Sequence, residues 1–152
     1  MFLPFDKIDA AVLQGDVDAG LLIHEGQLTY SSQGLHLIED MGEWWFTETG
    51  LPLPLGGNVI RKDLSPDVKR KVSRHLRESI AYGLAHRDSA LDHAMRYSRG
   101  LERGDADTFV GMYVNDWTLD YGERGRQAIK LFLQRGVESG VIPKPVMIEF
   151  VE

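Results

Sequence analysis

No cysteine occurs anywhere in the 152 residues. Disulfides, thiolate nucleophiles and cysteine-ligated zinc or iron–sulfur sites are therefore excluded, and a reducing, cytoplasmic setting is the expectation. Positive charge is also in short supply: 17 lysines and arginines stand against 23 aspartates and glutamates, a net charge of -6. A chain of that sign has no general attraction for nucleic acid or for an anionic membrane surface. Apolar runs are short. None approaches the roughly 20 residues that cross a bilayer, and the opening Met-Phe-Leu-Pro-Phe-Asp lacks the basic region and long apolar stretch of a secretory signal. Phosphate-cradling loops, the dinucleotide-binding glycine fingerprint and the Gly-x-Ser-x-Gly elbow are missing. So are internal repeats and low-complexity tracts.

What is there reads as a globular protein. Hydrophobic residues make up 43% and charged residues 26%, which sets aside disordered and coiled-coil classes. The length suits one domain with a core and is not comfortably enough for two. Residues 1–4 read as a loop or the end of a strand. A short helix follows, with Ile8, Ala11 and Val12 as its apolar stripe and Gly15 as its stop. Residues 17–23 are apolar in succession and not in alternation toward their end, the pattern of a strand covered on both faces of a parallel sheet. Residues 35–41 suit a second strand, and 42–49 a helical turn carrying Trp44 and Trp45. The two prolines in 51–55 confine that stretch to an edge strand or an extended crossing, which 56–60 continues.

The second half is helical in pattern. Ser65-Pro66 supplies an N-cap and a first-turn proline. Val68, Val72, Leu76, Ile80 and Leu84 then recur every four residues, which predicts a buried stripe. A second helix from about Asp88 turns Leu91, Ala94 and Met95 inward, and a third carries Phe109, Met112 and Tyr113. A fourth starts near Asp120, where Asp120-x-x-Glu123 resembles a capping box, and packs through Ile129, Phe132 and Leu133. Pro143 ends the helical pattern, and 146–151 suits a closing strand. The expected class is α/β, with a lobe boundary near 51–60.

His24 is the most informative position, because it stands where the predicted buried strand ends. In open α/β sheets ligands bind beyond the carboxyl ends of strands, and a neutral imidazole there can act as a general base. The plainer alternative is a structural histidine bonded to a neighbouring loop. Glu25 follows it, but Leu28 stands where the zinc-protease helix motif needs its second histidine. No metal site is expected. His36, His75, His86 and His93 fall on polar faces or helix ends, and Ser31-Ser32 has no partner pattern. Trp44-Trp45 can stack on an aromatic ligand or pack in a core, and core packing is the commoner use. Gly56-Gly57 can admit a ligand or a bend. The basic run Arg61, Lys62, Lys69, Arg70, Lys71, Arg74 and Arg77 has no interleaved aromatics and reads as a solvated helix face.

Four stretches taken together are more specific than any of these. They are residues 15–25 (Gly-Asp-Val-Asp-Ala-Gly-Leu-Leu-Ile-His-Glu), 42–45 (Gly-Glu-Trp-Trp), 49–56 (Thr-Gly-Leu-Pro-Leu-Pro-Leu-Gly) and 113–115 (Tyr-Val-Asn). In order and spacing the chain resembles the C-terminal part of the 1,4-dihydroxy-6-naphthoate synthase family of menaquinone biosynthesis by the futalosine route. The resemblance implies a two-lobed, periplasmic-binding-protein-like (type II) α/β fold whose N-terminal portion is missing here. Residues 1–55 would be the remainder of the second lobe. Residues 56–152 would give the crossing strand, helices and final strand of the first. It also implies a lyase that converts cyclic dehypoxanthinylfutalosine to 1,4-dihydroxy-6-naphthoate without metal or organic cofactor, with His24 as general base. Other substrate contacts would lie largely in the missing part. The alternatives are a non-catalytic small-molecule-binding module and an inactive split fragment. The partners implied are a small-molecule substrate and either a complementing N-terminal half or a second copy of this chain.

Overall fold

The computed structural model describes residues 2–98 and 100–151. Among them run eight α-helices: α1 (Ile8–Leu13), α2 (Gly26–Thr29), α3 (Met41–Thr49), α4 (Pro66–Ala85), α5 (Arg87–Met95), α6 (Arg103–Tyr113), α7 (Asp116–Leu119) and α8 (Gly122–Glu138). Short 3-10 turns precede α1 and follow α2. The expectation for residue 1 lies outside the described residues.

Local chemistry accounts for most helix ends. Asp40 Oδ1 accepts from the amides of Gly42 and Glu43 at 2.8 and 3.0 Å and so starts α3. Gly50, at φ +68°, ends it in the left-handed conformation that glycine adopts without steric cost. Ser65 caps α4 through the Val68 amide, with Pro66 at the first position. The fourth long helix departs from expectation. Asp120 does not open a capping box; its side chain accepts from Gly122 in a turn at 2.8 Å, and α8 begins two residues after it. The reciprocal box is formed instead by Asn115 and Thr118 at α7.

Helix α4 packs on α5 and α7, and α5 packs on α6. Arg87 ties α5 to α6 through the Asp107 carboxylate at 2.7 Å and the Asp107 carbonyl at 2.8 Å. Trp45 of α3 is 3% exposed. It meets Phe132 of α8 edge-on, 5.4 Å between centroids, under the Arg135 guanidinium. Gly125 and Ala128 of α8, Leu91 of α5 and Ala106 of α6 are the buried positions of those helices. The stripe on α4 is not buried as its period predicts: no residue of that helix is, and Val68, Val72 and Leu76 are exposed.

The larger correction concerns fold class. The described residues contain no strand, so neither the α/β reading nor the two-lobed periplasmic-binding-protein-like fold holds for this helical structure. Residues 17–23, 35–40, 52–60 and 145–151 are non-helical chain, and among the described residues no backbone ladder pairs them with a neighbour. The physical reason is that a helix satisfies its own amides four residues back, whereas a strand exists only against a second strand. Apolar succession records a preference for burial and does not supply the partner.

The surface carries the consequence. A compact 17.1 kDa protein exposes roughly 7,800 Å² by the area–mass relation. This chain exposes 11380 Å². Large apolar side chains on the unpaired segments, Leu21, Ile38, Val59 and Met147 among them, are open to solvent.

Candidate functional site

Helix α1 turns its apolar side onto the segment that leads to His24. Ile8 and Val12 sit over Gly20, where a Cβ would overlap the Ile8 side chain. The chain then bends at His24, whose carbonyl accepts from the Gln27 amide at 3.0 Å, while Glu25 accepts from Leu28 at 2.9 Å. These bonds open α2. Tyr113, the last residue of α6, holds the same segment from the other side. Its hydroxyl donates to the Ile23 carbonyl at 3.2 Å and accepts from the Gln27 side-chain Nε2 at 2.9 Å.

His24 is 8% exposed, the buried polar side chain among the described residues. Its Nδ1 accepts from the Gly26 backbone amide at 2.9 Å, satisfying one of the donors that a helix start leaves without an intrahelical partner. Its Nε2 is buried and has no hydrogen-bond partner among the described residues. The Glu25 carboxylate stands 3.9 Å from Nδ1, beyond hydrogen-bond distance.

The ring lines a cavity of about 450 Å³, the size range of a small-ligand site. Its walls are mainly apolar: Phe5 and Ile23 from the first segment, Ala94 from α5, and Ala106, Phe109 and Val110 from α6. The polar groups besides His24 are Glu25, Ser98 and the Tyr97 hydroxyl. Phe5 lies tilted against the imidazole at 5.8 Å between centroids. The site thus offers a mainly apolar lining beside one buried ring nitrogen without a hydrogen-bond partner among the described residues.

Of the residues singled out in the sequence, His24 and Glu25 come to this cavity and the others do not. Trp45 packs in the α3–α8 contact and Trp44 is exposed. Gly57 lies under the Tyr121 hydroxyl, 3.2 Å from where its Cβ would be, and Gly56 adjoins open space. The basic run is a paired surface: Arg70 with Asp67, Arg74 with Glu78, Arg77 with Asp120 and Arg61 with Asp63. The Arg61 contact holds the Asp63 carboxyl below its ordinary range. His75 pairs with Glu78, and His86 stacks on Tyr82. Phe5, Tyr97, Phe109 and Val110 were not legible as site residues, because an apolar helix face reads the same whether it lines a core or a cavity. Among the described residues no cluster of three acidic or histidine side chains is placed to hold a metal, and no helix is long and apolar enough to cross a membrane.

Comparison with known proteins gives four findings. The family model described as menaquinone biosynthesis matches residues 1–138. A 1,4-dihydroxy-6-naphthoate synthase of Thermus thermophilus is 40% identical over 142 residues, 93% of this chain and 52% of that protein. One of Streptomyces coelicolor is 38% identical over 141 residues, 93% of this chain and 50% of that protein. The crystal structure of protein AF1704 from Archaeoglobus fulgidus superposes with a TM-score of 0.87 at 48% identity, covering 92% of this chain and 53% of the other. The chain spans about half the length of each of these relatives.

Proposed function

The chain belongs to the menaquinone biosynthesis family, and from that premise we propose that it is the part of a 1,4-dihydroxy-6-naphthoate synthase that carries the reacting histidine. The substrate is cyclic dehypoxanthinylfutalosine and the reaction is a carbon–carbon lyase step. The observation that carries this reading is the coincidence of two independent facts. The family-like stretch 15–25 closes on His24-Glu25, and His24 is the buried polar side chain among the described residues that line the apolar cavity. A naphthoate ring system is flat, largely apolar and edged with oxygen, and the mainly apolar lining of the cavity supports that reading.

The cavity is partly open to solvent and is lined by Phe5, by residues 23–25 and by side chains of α5 and α6. Fixing a substrate in reactive geometry and excluding water require a second wall. We assign that wall to a polypeptide corresponding to the remaining length of the relatives. The test is to assay naphthoate formation by absorbance with that counterpart present and absent. Turnover is expected only with it. In the active mixture His24→Ala should lower kcat by about 10²–10⁴-fold, the usual contribution of a proton-handling or charge-stabilising side chain. A rate within a few-fold of the parent would place the chemistry on another residue.

A further inference from the structure

Two contacts decide which nitrogen of the His24 ring carries the hydrogen. First, the Gly26 amide donates to Nδ1 at 2.9 Å inside the protein. A nitrogen that accepts a hydrogen bond holds its lone pair there, so the neutral ring carries its hydrogen on Nε2. Second, the ring lies against the Gly26 backbone. A Cβ at position 26 would stand 2.6 Å from Cε1 and 3.1 Å from Nδ1. Gly26 is not among the glycines of positive φ, so the missing side chain serves the approach of the ring and not the path of the backbone.

We propose that Gly26 is a positioning residue that holds the neutral His24 ring as its Nε2–H tautomer. For Nε2 to act as a base, the hydrogen must sit on Nδ1, where it would confront the Gly26 N–H across 2.9 Å. Two donors in that position destroy a buried hydrogen bond without replacing it. Glu25 does not reverse this, since its carboxylate is 3.9 Å from Nδ1.

The tautomer is measurable without activity. The full chain, labelled with nitrogen-15 in its histidine rings and held at about pH 9, where ordinary imidazoles are neutral, should give His24 ring shifts of the Nε2–H form. The His24 signals are identified by their loss in His24→Gln. Gly26→Ala, which forces the ring off the amide, should move those signals toward the average of two exchanging tautomers. An Nδ1–H form in the parent, or parent signals already averaged, overturns the inference and leaves the proposed activity standing.

Discussion

The hydroxyl of Tyr113 is shared between the carbonyl of Ile23 and the side-chain amide of Gln27, the residues that bracket His24 and Gly26. Replacing it by phenylalanine keeps the ring against Phe109 and removes both bonds. The group is only part-buried, so water recovers some of the loss, and a destabilisation of about 1 kcal/mol is expected in urea denaturation. The sharper readout is local: the amides of Gly26 and Gln27 should exchange faster with solvent, with those of α8 unchanged. Unchanged exchange at both positions would show that α2 holds His24 without help from α6. His24 itself was legible because a histidine closing an apolar run is conspicuous. Its bond to Gly26 was not, since no pattern distinguishes an amide that a ring accepts from one that water does.

Short elements here depend on caps more than on propensity. Helix α7 is four residues long and cannot hold itself by its own ladder. Asn115 serves two helices at once. Its Oδ1 accepts from Trp117 at 3.0 Å at the start of α7, and its Nδ2 donates to the Gly111 and Met112 carbonyls at 3.2 Å at the end of α6. Thr118 completes the junction by accepting from the Asn115 amide and donating to the Tyr113 carbonyl. Asn115→Ala should therefore cost about 1 kcal/mol or somewhat more in unfolding free energy, toward the upper part of the range for a lost cap. A change near zero by thermal or urea denaturation would mean that α4 alone retains α7. The sequence pointed instead to Asp120-x-x-Glu123, whose acid at the third position fits the usual signature. Asn-x-x-Thr lacks that acid, and only the geometry reveals it. Ser65-Pro66 and Gly15 were legible because their effect is local.

At the scale of the whole molecule the exposed area governs behaviour. Some 11380 Å² is accessible where a closed globule of this mass shows roughly 7,800 Å². The difference is of the order that obligate protein interfaces cover. The exposed apolar residues include Val68, Val72 and Leu76 of α4 and also Leu21, Ile38, Val59 and Met147. The isolated chain should therefore run above its 17.1 kDa in light scattering and bind a hydrophobic dye. Both effects should fall when the counterpart is added. A monodisperse monomer that binds no dye would show that these apolar side chains are covered by a rearrangement of this chain alone.

The sequence by itself determined the helices with their own start and stop chemistry and the family to which the chain belongs, and it singled out His24 as the candidate reacting residue. Each of these depends on residues near one another in the chain, or on motifs whose order is preserved in it. Tertiary structure alone decided that residues 17–23 and 146–151 form no strands, that the α4 stripe stays uncovered, and that Phe5, Tyr97 and Phe109 share a cavity with His24. Those outcomes turn on which distant group lies opposite, and periodicity states only that a residue favours burial. The same holds for the hydrogen on His24, which is placed by one backbone amide two residues away and the absence of a side chain there.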